Sequence, residues 1–527
     1  MATNTEGASP SEESRAPAIP KAAWYALAIL TLANVFNYLD RQIVSILAQS
    51  IKHDLKLDDA DLGFLLGTAF AVFYSVVGIA MGKISDGLPR KKVMAFGLAL
   101  WSVMTALGGA ATSFAMLGVA RIGVGVGEAV ANPCSHSLLA DMVPQRRRAM
   151  AMSVLLSGVF VGGALAMFVG GYFLTHWKDM CQALPLAGAC TTAPWKAALI
   201  SVGLPGLLLA LAVLAIHEPP RPLEARSAGR FVLGEFATAI PPFTVLSVYR
   251  VGGRKGLVSN LLIAAVIVAI ATLVARATGD LAQWASFGLG AYAVLTWGQI
   301  QSYRDRPLFK LTFGDPTFVM GTAATALIAC VGGAVNVWSA PYAMRTYQIP
   351  AHEIGFSLGA IHIIGAIAGV LLGGYFTDRW KQRDRRAPLG MAGISMIGQV
   401  PCIIVMMTVI DYRVFLAAYF ALGLITALWS GGIAAMVQDL VLPRMRGAAA
   451  AAFSLVAIVI SSGTGPYWAG KVSAVTGSLT AGLLSMMALA PIALVLLWLA
   501  ARRLPHETPE ARRARAEAAG EPRENAA

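Results

Sequence analysis

Asp61–Asp86 reads DLGFLLGTAFAVFYSVVGIAMGKISD, and Glu353–Asp378 reads EIGFSLGAIHIIGAIAGVLLGGYFTD. The two stretches align without a gap, and Gly63/Gly355, Phe64/Phe356, Leu66/Leu358, Gly67/Gly359, Gly82/Gly374 and Asp86/Asp378 are identical. Each is an apolar, small-residue run long enough to cross a bilayer as a helix, which takes ~20 residues. A second echo pairs Asp141 with Asp439, each closing an apolar run ahead of a basic turn and a small-residue run. A span repeated in the same orientation implies two parallel halves, with a binding site at the midplane between them.

The rest of the chain agrees. Of 527 residues, 57% are hydrophobic and 13% charged, against roughly 45–50% and about 25% in soluble domains. That balance excludes a soluble enzyme, a disordered chain and a small disulfide-stapled domain. Lipid admits helices or closed barrels, and a barrel would show short alternating segments rather than long uncharged runs such as Leu257–Ala275. Fourteen spans are expected, near 24–50, 62–81, 93–112, 115–140, 150–175, 195–216, 257–275, 281–300, 316–340, 354–376, 388–410, 413–437, 448–470 and 479–500.

Loop charge orients them, because Lys and Arg concentrate in cytoplasmic loops. Bases cluster at Lys83–Lys92, Arg146–Arg148, Arg250–Lys255, Arg304–Lys310, Arg379–Arg386, Arg444–Arg446 and beyond Arg502, so both termini are expected in the cytoplasm. The net charge of +13 therefore reports orientation and not a nucleic-acid partner. The expected organisation is a disordered tail over 1–21, a six-helix bundle over 22–220, and a linker over 221–312 carrying an inserted hairpin (257–275 and 281–300). A second six-helix bundle over 313–503 and a basic tail over 504–527 complete it. Residues 1–20 lack the apolar core of a cleavable signal.

Gly82-Lys-Ile-Ser-Asp86-Gly-Leu-Pro-Arg90-Lys91-Lys92, with a degenerate copy at Gly374–Arg379, resembles the signature between helices 2 and 3 of the major facilitator superfamily. Within it, the chain looks most like the Spinster-like lipid transporters. The matching stretches are Asn37-Tyr38-Leu39-Asp40-Arg41, Trp101-Ser102, Arg121 to Ala129 with Pro133, Ser137–Asp141 and Gly463-Thr-Gly465-Pro466. Organic-anion symporters share the Asn-Tyr-x-Asp-Arg and Gly-Glu-Ala segments. The resemblance implies an all-α fold of two six-helix bundles related by a pseudo-two-fold axis, to which this chain adds the inserted pair. That pair, uncharged within its spans, is expected to be a lipid-facing brace.

Asp40, Arg41, Arg121 and Glu128 lie inside otherwise apolar spans. Each ionisable residue near a helix centre costs on the order of 2.5–3.5 kcal/mol, so the four must face inward and pair. Arg121, Gly125, Glu128, Asn132 and Ser135 or His136 recur at three- and four-residue steps and form one stripe of helix 4. Asn37 and Arg41 stand one turn apart on helix 1, with Tyr38 and Asp40 beside them. A carboxylate in a low-dielectric cavity binds protons more readily, and a nearby arginine reverses this. The resemblance makes Asp40 and Glu128 the candidates for protonation, and Arg41 and Arg121 the partners or substrate anchors. Asn37, Tyr38, Asn132 and His136 complete the expected site.

Gly82, Asp86 and Arg90, with Asp378 and Arg379 in the second copy, are expected to latch the cytoplasmic side. Gly78/Gly82, Gly158/Gly162 and Gly365/Gly369/Gly373 have the small-xxx-small spacing of packing seams. Pro466 is expected to break its helix. Cys181 and Cys190, on the loop between spans 5 and 6, are a possible disulfide. No HExxH or other ligand-spaced histidine motif occurs among the seven histidines, so no metal site, cofactor or enzyme activity is expected. The expected function is alternating-access transport of an amphipathic lipid, proton-coupled, by a monomer in the cytoplasmic membrane. A small organic anion, or a drug for export, is the alternative cargo.

Overall fold

The computed structural model describes residues 20–183, 189–220 and 228–522; most of the expected N-terminal tail lies outside them. In the first half, α1 (Lys21–Leu55) is followed by α2 (Asp59–Gly63), which runs through a π turn at Phe64–Thr68 into α3 (Ala69–Gly87). Then come α4 (Arg90–Gly109), α5 (Phe114–Glu128), α6 (Ala131–Met142), α7 (Gln145–Ala183) and α8 (Pro194–Leu214). An interposed segment holds α9 (Ala228–Ala239), α10 (Thr244–Thr278), α11 (Leu281–Arg304) and α12 (Arg306–Leu311). The second half comprises α13 (Pro316–Tyr347), α14 (Ala351–Lys381), α15 (Ala387–Thr408), α16 (Tyr412–Ala427), α17 (Ser430–Asp439), α18 (Arg446–Thr476), α19 (Leu479–Ser485) and α20 (Leu489–Arg503). A last helix, α21 (Pro509–Ala518), follows.

Polar side chains and glycines punctuate these helices as their chemistry requires. Asp58 and Asp61 form a capping box at the start of α2, and Asp315 accepts from the Thr317 and Phe318 amides (2.7 and 3.0 Å) to open α13. Gly279 and Gly477, at φ 82° and 70°, end α10 and α18 in the left-handed region. Gly158 and Gly162 press on the backbone of α1, Gly365 and Gly369 on that of α16 and Gly373 on that of Leu428 just after it, so these two spacings are packing seams.

Three expectations are revised. Among the described residues, thirteen helices are long and apolar enough to cross a membrane, where fourteen runs were expected. The shortfall is α11, which is long enough but carries Gln283, Thr296 and Gln299. α18 continues unbroken through Pro466. Spans 4 and 12 are interrupted instead, between α5 and α6 and between α16 and α17, at corresponding places in the two halves. The segment after 504 is not merely a tail: α21 docks on the second half, with Arg515 on Asp315 at 2.5 Å.

Candidate transport site

The repeat places two glycine pairs at the contact between halves. A Cβ on Gly63 would lie 2.5 Å from Pro466 O of α18, and one on Gly67 would strike Ser462 O. In the second half, a Cβ on Gly355 would strike Met167 O of α7, and one on Gly359 would lie 2.8 Å from Ala164 O. Each half thus seats its repeated glycines on the opposite half's backbone, which explains why these residues are identical.

Charge closes the same end. Asp59 accepts from Lys52 Nζ (2.5 Å), from Arg345 Nη1 and Nη2 (2.8 and 2.7 Å) and from Ser473 Oγ (2.6 Å). Arg345 also donates to Gln49 at 2.9 Å. α1, α2, α13 and α18 therefore converge on one carboxylate. Apolar patterning does not reveal this cluster; its signal in the sequence is an aspartate just ahead of the repeated stretch and an arginine at the end of span 9.

At the end carrying the basic loops the halves stand apart. Among the described residues, Gly78 and Gly82 would meet nothing within 4 Å if given a Cβ, and neither would Gly374, Gly431 or Gly447. Gly78 and Gly82 are therefore not a packing seam: they border a cavity of about 390 Å³. Tyr74, Asn132 and His136 face it from the first half, Ser454 and Ile458 from the second, and Trp297 from α11.

Behind the cavity lies the charge cluster. Arg41 donates to Glu128 Oε2 at 2.9 Å, with the Glu128 side chain fully buried and that of Arg41 23% exposed. Three aromatic faces surround the Arg41 guanidinium: Tyr38 at 4.7 Å, Phe70 at 4.4 Å and Tyr74 at 5.0 Å. Such contacts hold a desolvated guanidinium by about 2 kcal/mol or more. Arg121 donates to two backbone carbonyls, Asp40 O (3.2 Å) and Leu65 O (3.3 Å), and stands over Phe70. Asp40 is buried and faces Arg121, Trp101 and Thr105. Asn37 Nδ2, Asp40 Oδ1, Arg41 Nε, Arg121 Nη2 and Glu128 Oε1 make no hydrogen bond among the described residues.

Six of the expected site residues thus meet: Asp40, Arg41, Arg121 and Glu128, with Asn37 and Tyr38 beside them. Asn132 and His136 continue the same stripe into the open cavity, where Asn132 donates to Tyr74 Oη at 3.1 Å. Phe70 and Tyr74, one turn apart on the repeated span, were missed because aromatic residues in apolar spans usually pack. In the second half, Tyr419 and Thr426 stand where Arg121 and Glu128 are in the first. Tyr419 donates to Asn336 at 2.8 Å, and Thr426 to its own helix.

The expected latch is arranged differently. Arg90 is fully buried within the first half, bonded to Asp141 (2.7 Å) and Glu218 (2.9 Å), so it does not reach across to the second. Asp378 and Arg379 are exposed, and the Asp86 side chain is outside the described set. The second half repeats the Arg90–Asp141 contact as Lys381–Asp439 at 2.7 Å. Cys181 and Cys190 are joined, with Cα atoms 5.3 Å apart. Among the described residues no cluster of His, Cys, Asp or Glu could hold a metal ion.

Two repeated helical bundles, sealed together at one end and parted at the other around buried opposite charges, define a membrane transporter. The chain belongs to the Major Facilitator Superfamily, whose family model matches residues 30–466 and 321–524. It is similar to the MFS-type efflux pump of Mycolicibacterium smegmatis, 28% identical over 458 residues (86% of this chain, 85% of that protein). It is also similar to Protein spinster homolog 1 of Xenopus laevis, 23% identical over 461 residues (84% and 72%). The Sphingosine-1-phosphate transporter SPNS2 of Danio rerio is 21% identical over 467 residues (85% and 75%). Among solved structures, a bacterial homolog of the human lysosomal transporter Spinster, inward-facing and unoccupied, matches with a TM-score of 0.71 and 22% identity. That match covers 93% of this chain and 99% of the other.

Proposed function

We propose that this transporter moves an amphipathic lipid, of the lysophospholipid or sphingoid type, by proton-coupled alternating access. The observation that carries the proposal is the Arg41–Glu128 pair, which stands behind Tyr74 at the wall of the cavity. Glu128 occupies Arg41, the less deeply buried of the two arginines in the cluster. Protonating Glu128 removes the charge that holds Arg41 and frees it for an anionic headgroup. Proton and cargo then load together, and the apolar flank of Trp297 and Ile458 receives the tail. Asp40, buried beside Arg121, is the second proton-binding carboxyl.

Breaking a buried ion pair costs several kcal/mol. One proton moving down ~150 mV supplies about 3.5 kcal/mol, and each unit of pH about 1.4 more. The two quantities are of the same size, as coupling requires. Turnover alternates the two ends: the Asp59 cluster parts as the basic-loop ends close, when Asp86, Asp378 and Arg379 come into play. Following loop charge, the protein sits in the cytoplasmic membrane with both termini inside, works as a monomer without a cofactor, and opens its cavity inward in this structure.

The similarity to an efflux pump favours one alternative, export of a drug or other small organic compound on the same fold. Uptake into proteoliposomes tests both: lysophosphatidylethanolamine, sphingosine, benzoate and a cationic dye, each with and without a pH gradient. Gradient-driven lysolipid movement supports the proposal; movement of benzoate or dye alone overturns the lipid assignment.

A further inference from the structure

The inserted pair meets its surroundings unevenly. α10 turns its apolar side chains outward: Val266, Val268, Ile270 and Leu273 are all more than half exposed. α11 instead lies between the halves. A Cβ on Gly290 would touch Val72 of α3 at 3.2 Å and Val459 of α18 at 3.3 Å. Gln283 accepts from Thr68 of the first half (2.6 Å) and donates to Gly463 O of the second (3.1 Å). Two turns beyond Gly290, Trp297 reaches the cavity wall beside Ile458.

The body of α11 packs on both halves, but the polar anchors at its two ends favour the second. Asp280, just ahead of α11, pairs with Lys471 (2.7 Å) and accepts from Tyr467 (2.7 Å), and Asp305, just after it, takes Arg444 (2.8 Å). Within the hairpin, fully buried Asn260 is bonded to Tyr292 (2.6 Å), Thr296 (3.1 Å) and Gln299 (2.9 Å). A polar network of this kind inside an apolar span fixes the register of two helices, so the hairpin moves as one piece. Its entry behaves otherwise. α9 rests on the first half, where Glu235 faces Lys83 at 3.6 Å and Phe231 covers Gly87. Between α9 and the outer part of α10, Gly253 adopts φ 58°, ψ −155°, a conformation essentially confined to glycine. A joint thus separates a piece seated on one half from a piece fastened to the other.

We propose that α11 is a working wall of the transport cavity. Trp297 touches the cargo, and the hairpin travels with the second half, keeping the gap between α3 and α18 closed to the bilayer. The inference rests on the alternating-access reading above but not on the identity of the cargo.

Two measurements on the full chain test it, with Cys134, Cys330 and Cys402 replaced by alanine. In the first, Trp297→Cys and Leu273→Cys variants in proteoliposomes are exposed to a charged, water-soluble methanethiosulfonate. Cys at 297 is expected to react at least tenfold faster than Cys at 273, and at least threefold more slowly when lysophosphatidylethanolamine or another transported compound is present. Equal rates, or a rate at 297 indifferent to every transported compound, overturn the proposal. Transport by the same background is assayed separately, so its loss counts against the proposed function, while accessibility at 297 still judges the wall. In the second, disulfides are formed in Gly290→Cys/Val459→Cys and Gly290→Cys/Val72→Cys. The first bridge should leave uptake within twofold, and the second should lower it at least tenfold until reductant is added. The opposite pattern, or no effect of either bridge, overturns the proposal.

Discussion

Gly63 of the first half and Gly355 of the second are one position of the internal repeat, and each rests against the main chain of the opposite half, at Pro466 and Met167. The seal is thus built twice, by the same residue in the same register.

Adding a methyl group at either glycine drives a Cβ into a carbonyl that cannot yield without moving a helix. Overpacking of this kind costs typically 1–3 kcal/mol. Gly63→Ala and Gly355→Ala should each shift the equilibrium away from the sealed state by about tenfold or more. Spin labels at His53 and Val475, both exposed near the sealed end, would report a longer mean separation by pulsed electron resonance; an unchanged distribution in both variants would contradict this account of the seal.

Asp59 holds Lys52 and Arg345 together from three different helices. Asp59→Asn leaves two cations facing one another, at a cost of about 3–5 kcal/mol for a broken buried pair. The same label pair should lengthen further than in the glycine variants, and a lower thermal midpoint should accompany it.

Arg41 is gripped by shape as well as charge. A lysine keeps the charge but loses the planar guanidinium that lies against Tyr38, Phe70 and Tyr74. Arg41→Lys should therefore lower uptake at least tenfold. Tyr74→Phe keeps the ring and gives up its hydroxyl, with the hydrogen bond from Asn132, and should stay within about threefold. Equal losses in the two would mean that the aromatic cage is not what matters.

Outside the spans, Arg444 clasps Asp305 and Glu521, joining the inserted pair to the chain end. Burial opposes ionisation of Asp305, but hydrogen bonds from Arg444 and the Leu308 amide outweigh it and hold the carboxyl below its ordinary range. For Glu521, the Arg444 hydrogen bond dominates and has the same effect. Both folded values are depressed, so the stabilisation is complete above the ordinary carboxylate range of about 4 and is lost only as pH falls through the lower folded values. Limited proteolysis of the chain end should be the same at pH 7 and pH 5, and increase below about pH 4. Arg444→Ala should show the increase at pH 7.

Much of this was legible in the sequence, and what was missed has a physical cause. The repeat, the parallel halves and the four intramembrane charges follow from apolar spacing, because lipid penalises every exception. The seam along Gly365, Gly369 and Gly373 was equally plain, yet the same spacing at Gly78 and Gly82 lines open space. Spacing shows where two helices can approach, and only the tertiary arrangement shows whether they do. Arg90 resembled half of a latch but is bound by Glu218, 128 positions away, which no local pattern reveals. The role of α11 was hidden for a related reason: Gln283 looks like weakness in a span until Thr68 and the Gly463 carbonyl are seen beside it.

The coupling assignment stands or falls on Glu128 and Asp40. Glu128→Gln and Asp40→Asn preserve volume while removing the group that takes up the proton. Lysolipid accumulation in proteoliposomes driven by a pH gradient should fall to background in each variant, while counterflow without a gradient persists. Accumulation at the wild-type level, with unchanged pH dependence in both variants, would contradict the claim that this transporter is driven through the Arg41–Glu128 pair.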